Sequence, residues 1–284
     1  MVLVCVAGAA TLLAGLSGRP ASARPLRQID VFPGPNALTN ALAEARPGDA
    51  LELHTGTYSE AVTITTPTIA LEPAGDGPVT IDGGCAAFET IAVRADGVTL
   101  EGAISVVGGM FYEVNYAGVR SGILEGFTMT DTCGNATFAV FVQSSGAVLV
   151  SSNTISGFGG AGIDLFDITD TAGSTLLVSS NDIAQIGRGI TVEQSAGGSI
   201  QVRGNRVRGS EFSGINLTNS DGVAIQRNRV SNDGQEGIAL DADSSGNSVI
   251  GNAAFGNTFD LVNFGQGNCF RANRFRTSRG TIGC

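Results

Sequence analysis

From Val140 to Phe275 the apolar positions fall into one recurring pattern: an apolar corner, an asparagine, a loop, then Gly-Ile and an alternating segment. The copies read Val150-Ser151-Ser152-Asn153 then Gly162-Ile163, Val178-Ser179-Ser180-Asn181 then Gly189-Ile190, and Val202-Arg203-Gly204-Asn205 then Gly214-Ile215. A fourth runs Ile225-Gln226-Arg227-Asn228 then Gly237-Ile238, and two degenerate copies centre on Asn252 and Asn273. Successive asparagines are 28, 24, 23, 24 and 21 residues apart. A period of this length marks a solenoid, whose units bury their apolar faces only by stacking on one another. Period-2 pairs such as Ile163/Leu165 and Ile215/Leu217 predict short strands, each laid about 4.8 Å from its counterpart in the next coil. The inward positions are then Ile91, Val93, Val98, Leu100, Val140, Val142, Ile163, Leu165, Ile190, Val192, Ile215, Leu217, Ile238 and Leu240. The asparagine is a corner residue that tolerates φ > 0 and can hydrogen-bond along the axis. Residues 36–45 predict one amphipathic helix covering the open end of the first coil, with Leu38, Ala41, Leu42 and Ala45 on one face.

Three stretches carry a resemblance: the entry segment from Pro47 to Glu60, the Gly97-Val98-Thr99-Leu100-Glu101-Gly102 segment, and the asparagine coils. Together they resemble the right-handed parallel β-helix superfamily that includes pectate lyases. The resemblance implies an all-β, right-handed parallel β-helix, a solenoid of about nine coils with a short N-terminal capping helix. It is specific for fold and poor for function, because members include polysaccharide lyases, hydrolases, uronate epimerases and proteins without known chemistry. The Gly-His-Gly segment of polygalacturonase-like members and the Asp-Pro-His-Asp/Glu segment of alginate epimerases are both missing. Ligands for a β-helix copper site are missing as well, with one His and three Met in the chain.

Composition narrows the picture. The formal net charge is −10 and all sixteen basic residues are arginine, which argues against a nucleic-acid binder. Val2 to Leu16 is apolar and Ala21-Ser22-Ala23 fits a small-x-small cleavage site, so residues 1–23 read as a signal peptide. Residues 24–284 then form one domain, with 269–284 as a C-terminal cap. The mature chain is expected to be secreted or periplasmic, free of the membrane and monomeric. Four cysteines remain beyond the leader, and an even number in an exported protein predicts disulfides. Cys269 with Cys284 ties the end of the chain to the last coil. Cys85 and Cys133 lie two coils apart, about 9.6 Å in regular register and beyond ordinary disulfide reach. Their pairing requires the Asp131–Ala136 loop to bend toward Cys85. His54, the sole histidine, has no catalytic companion nearby in sequence and reads as turn packing.

Candidate chemistry lies on the outward face of the strands that follow Gly-Ile. One outward column reads Phe141, Asp164, Thr191, Asn216, Ala239, Val262, and its neighbour Gln143, Phe166, Glu193, Thr218, Asp241, Phe264. Asp164 and Glu193 fall one coil and two residues apart, about 8 Å between Cα atoms, a separation suited to an acid–base pair on a sugar chain. Arg188 is the nearest base or carboxylate clamp, and Phe166 offers a flat face to a sugar. Asp164, Asp167 and Asp170 can alternatively hold Ca²⁺. Arg206 and Arg229 share a phase in successive coils, with Arg274 two coils on, and such a column suits capture of uronate or sulfate. The same residues also read as a solvated strand face, and the arginines as an ion-pair face with Glu211, Asp233 and Glu236. Only the Asp131–Ala136 and Asp167–Ser174 segments lengthen a coil, so the long walls of a deep cleft are expected to be mostly missing. These residues and the resemblance point to polysaccharide recognition with lyase- or epimerase-type processing. The alternative is a non-catalytic surface or adhesion module binding glycan or protein.

Overall fold

The structure is a computed structural model and describes residues 27–134, 136–169, 173–197 and 199–284. The expected leader and Asp170 therefore lie outside the described residues. The chain winds as a parallel β-helix whose strands build three faces. The first sheet has eleven strands, from Gln28–Val31 to Cys269–Arg271, which makes ten turns where about nine were expected. Within one turn the order is clear from Thr175–Ser179 in the first sheet, Asp182–Ala184 in the second and Arg188–Glu193 in the third.

Register is kept from coil to coil. Ile163, Ile190, Ile215, Ile238 and Leu261 are successive partners in the third sheet, and all are fully buried. Val150, Val178, Val202, Ile225 and Val249 stack likewise in the first. Every inward position read from the sequence is fully buried. At about 25 cal/mol per Å² of apolar area, this continuous core is the main stabilising contribution.

The Gly of each Gly-Ile pair marks a corner without room for a side chain. A Cβ on Gly189 would sit 2.2 Å from the carbonyl oxygen of Gly214 and 2.3 Å from Cγ1 of Val207. At Gly214 it would meet Cγ1 of Val230 at 2.2 Å. Crowding by the next coil, rather than an unusual φ, therefore fixes glycine there.

The opposite corner is held by an asparagine ladder. The Asn205 side-chain oxygen accepts from the backbone N–H and the side-chain amide of Asn181, at 3.0 and 2.9 Å. Its own amide donates to the carbonyl of Val178 and to Asn228 Oδ1, at 3.0 and 3.1 Å. The pattern runs from Asn153 to Asn273. Each rung lies inside the tube, so the next coil's side chain supplies the partners that water cannot. Ser195, Ser220 and Ser244 form a second, shorter ladder at the turn from the third to the first sheet.

The open end is covered by the helix Ala37–Glu44, which buries Leu38 and Leu42. Its exposed N–H groups are capped by a distant residue. Both Glu60 carboxylate oxygens accept from the amides of Leu38 and Thr39, at 2.8 and 2.9 Å. At the far end Cys269 and Cys284 are joined, and Ile282 packs against the core.

Cys85 and Cys133 are also joined, with Cα atoms 5.6 Å apart, which corrects the two-coil distance expected from regular register. The strand Val79–Val93 slips against Ile104–Ala117, so that Asp82 opposes Val107 but Ala87 opposes Gly109. The extra residues arch over the intervening coil at Gly108, where a Cβ would lie 2.3 Å from Asp82. The arch brings Cys85 to the Asp131 loop, whose carboxylate accepts from the amides of Cys133, Gly134 and Ala136.

Asn205→Ala removes one hydrogen-bond partner from each of four buried polar groups at once. It is expected to destabilise the fold by about 3 kcal/mol in urea unfolding, whereas Thr154→Ala on the outer surface should change it by less than about 0.5 kcal/mol.

Candidate functional site

The third sheet presents a shallow trough along the helix axis. Its floor is one register column, Asn115, Phe141, Asp164, Thr191 and Asn216. Asp164 points outward yet is only 3% exposed, stacked between Phe141 and Thr191 of the adjacent coils, which are themselves 8% and 2% exposed. Thr191 donates a 2.7 Å hydrogen bond to its Oδ1. Burial pushes the Asp164 carboxyl up to about 7, and the Glu193 charge adds to the rise. The Thr191 hydrogen bond and Arg188 oppose it without overcoming it. The expected solvated strand face thus fails at its central residue, which is a desolvated acid titrating near neutrality.

An aromatic ribbon crosses this face. Phe88 stacks on Phe111 at 4.5 Å and meets Tyr112 edge-on at 5.3 Å. Tyr112 stacks on Phe138 and Phe141, at 5.5 and 4.8 Å, and Phe141 on Phe166 at 6.2 Å. The ribbon crosses several coils and ends beside Asp164. Phe88 and Phe111 are 54% and 40% exposed, flat apolar surface of the kind that sugar rings cover. Burial raises the Tyr112 phenol, and the charges of Asp164 and Glu89 raise it further. Glu89 is held by Arg94 Nη2 at 2.5 and 2.7 Å and by the Asn115 amide at 2.6 Å.

This aromatic surface is built from long strands and not from loops. Val79–Val93 and Ile104–Ala117 run unbroken from the second sheet into the third. Their slipped register carries Phe88, Phe111 and Tyr112 to the trough, none of which the sequence reading had singled out. The repeated aromatic–acidic pairs Phe88-Glu89 and Tyr112-Glu113, one coil apart, were the available signal. Beside them Glu113 is wholly buried, bonded by Thr90 at 2.7 Å and by the amide of Gly109, and burial pushes its carboxyl up to about 7.

Of the residues proposed from sequence, Glu193, Arg188, Phe166, Asn216 and Thr218 join Asp164 on this sheet. Phe166, Glu193 and Thr218 are successive partners, so Glu193 is diagonal to Asp164 as expected. Arg188 begins its strand and lies over the Phe212 ring at 5.2 Å. Asn216 donates to Thr218 at 2.9 Å. Asp241 sits past the strand end, bonded to the Asn219 amide and to Ser244.

Arg206 and Arg229 are register partners, but on the second sheet, away from the trough. Their expected ion pairs are also corrected. Asp233 is turned inward onto the Ser210 amide, Glu236 accepts from Ser213, and among the described residues only Asp182 pairs with Arg206 and Arg208. Asp167 lies at a corner with φ 55 and accepts from Ser144 at 2.7 Å. Among the described residues no three His, Cys, Asp or Glu side chains are grouped to hold a metal. With Asp164 desolvated and Asp167 engaged, the described donor set does not fit Ca²⁺. His54 lies on the first sheet, between Asp76 at 2.8 Å and Asp30 at 3.0 Å, and stacks on Phe32.

A parallel β-solenoid with an aromatic-lined outer trough is the class that these features define. The family model described as "right handed beta helix region" matches residues 95–225 and 139–275, and the chain belongs to that family. No curated protein sequence matches it. Among solved structures it is similar to pectate lyase Pel9A, with a TM-score of 0.71 and 12% identity over 90% of this chain and 78% of that one. It is also similar to XylC in complex with xylose, at 0.65 and 11%, over 87% and 70% of the two chains. A third likeness is to an alginate lyase from Paenibacillus sp. str. FPU-7, at 0.54 and 16%, over 91% and 99%. At these identities the likeness is one of fold.

The shifted carboxyls set a pH dependence of stability. Glu113 and Asp164 at about 7 and Asp233 at about 6 hold protons in the folded chain that the unfolded chain has released, so stability falls as pH rises above their ordinary values. His54, raised by both aspartates, contributes below 6.5 and loses that contribution as pH rises through its folded value. Asp49, Asp76 and Asp96 are lowered below 3.8, and their contribution is lost as pH falls. The urea midpoint is therefore expected to be higher at about pH 5 than at pH 8. Asp164→Asn should be more stable than wild type by about 4 kcal/mol at pH 8 and by almost nothing near pH 4.

Proposed function

We infer that the chain binds an acidic polysaccharide along the trough and processes it there by uronate chemistry of the lyase or epimerase type. The observation that carries this reading is a buried carboxyl, poised near neutrality, at the end of an exposed aromatic ribbon. A site that must both take and give protons at neutral pH needs such a group. The fold likeness to structures described as pectate and alginate lyases supports the same substrate class. Export fits the two disulfides, since these persist in oxidising compartments.

In this reading the ribbon of Phe88, Phe111, Tyr112 and Phe166 stacks the sugar rings, and Asn216 and Thr218 bond hydroxyls further along. Arg188 pairs with the uronate carboxylate and stabilises the negative charge that develops when the C5 proton leaves. Glu193 takes that proton. In elimination the C5–H electrons form the C4–C5 double bond, the C4–O bond breaks, and neutral Asp164 gives its proton to the departing oxygen. In epimerisation C4–O stays intact, and Asp164 returns a proton to C5 from the other face. Binding without turnover is the second reading, favoured by the missing histidine motifs.

Incubation with polyuronates, following absorbance of the unsaturated product, tests the elimination; deuterium entry at C5 tests the epimerisation. Activity is expected to decline as pH rises through about 7, and Asp164→Asn should lower it by about 10²–10⁴-fold. Neither product from any polyuronate leaves binding alone.

A further inference from the structure

The second sheet carries a feature that the trough does not use. Its outward column runs Asp182, Arg206, Arg229, Ala253 and Arg274. Arg229 and Arg274 are thus two rungs apart, about 9.6 Å along the axis, with only the methyl group of Ala253 between them. Arg227 stands at the adjoining corner beside Gly251, and Phe255 forms the far side. With Asn228, these residues line a cavity of about 420 Å³.

Its charge is unbalanced. Asp182 serves Arg206 and Arg208, and the carboxylates closest in sequence, Asp233 and Glu236, are bound to Ser210 and Ser213. Among the described residues no carboxylate pairs with the guanidinium of Arg227, Arg229 or Arg274. Arg276 stacks over Phe255 at 6.0 Å, which adds a fourth cation at the edge. Three guanidiniums without a carboxylate partner around one concavity make a locally positive site on a chain of net charge −10, to which an anion is attracted.

We propose that this notch is an accessory subsite for the carboxylate-bearing sugar of an acidic polysaccharide, separate from the Asp164 trough. The guanidinium forks of Arg229 and Arg274 take the carboxylate from either side of Ala253, and Phe255 takes a ring face. The ligand class rests on the reading of the trough; the site rests on its own geometry. Its role is retention of the polymer while a distant stretch lies in the trough, so that two weak sites act on one chain.

Trigalacturonate, a short uronate chain, is titrated by calorimetry into the Asp164→Asn protein. Two binding events are expected. Arg229→Ala/Arg274→Ala should weaken one of them by about 100-fold and leave the other. Ala253→Leu, which keeps every charge and fills the notch, should give the same loss, with urea midpoints confirming that both variants fold. If the trough binds nothing, a single event remains that the notch variants abolish. A single event untouched by either variant overturns the proposal, as does equal binding by neutral maltotriose or by a short single-stranded oligonucleotide.

Discussion

The structure depends on repetition in register, because each coil supplies the hydrogen-bond partners that the coil before it lacks. Inside the tube no water reaches the corner amides, and a buried N–H without an acceptor costs about 1–3 kcal/mol. The ladder from Asn153 to Asn273 removes that cost once per turn with a single residue type. Its side chain both accepts and donates, so Asn181 bonds to Asn205 and Asn205 to Asn228 in the same way. A slip of one residue would break these bonds and turn the Ile163–Ile190–Ile215–Ile238 stack outward.

The same regularity explains where chemistry is possible. A strand face that presents one residue per coil at fixed spacing places Phe141, Asp164 and Thr191 in direct succession, so the carboxylate is flanked above and below by close neighbours. Its desolvation follows from that stacking and needs no loop to close over it. A carboxyl held near neutrality in this way weakens the fold at the pH where it is most useful. Stability and proton transfer therefore draw on one residue with opposite sign.

Much of this was legible in the sequence. The period, the inward column and the diagonal of Asp164 and Glu193 follow from counting residues between asparagines, because two-residue alternation and coil length together fix register. The aromatic wall was not legible. Phe88, Phe111 and Tyr112 lie in the early coils, where the asparagine marker is absent and Val79–Val93 slips against its partner strand. The same slip made the Cys85–Cys133 distance look too long. The arginine ion pairs failed for another reason: Asp233 follows Asn232 at a corner, and sequence alone did not show that it turns inward as a ladder rung toward Asn257.

Because every rung is chemically the same, the fold has no preferred number of turns. A duplication that copied the stretch between Asn205 and Asn228 would hand the new coil a ready acceptor above and a ready donor below, and both caps would be none the wiser. Gain or loss of a few residues is absorbed only in the loops between strands, as the spacings from 21 to 28 residues show, since within a strand it breaks the succession at once. Lineages of this architecture should accordingly differ in length by whole turns, with the helical lid and the disulfide-tied tail carried unchanged to either end.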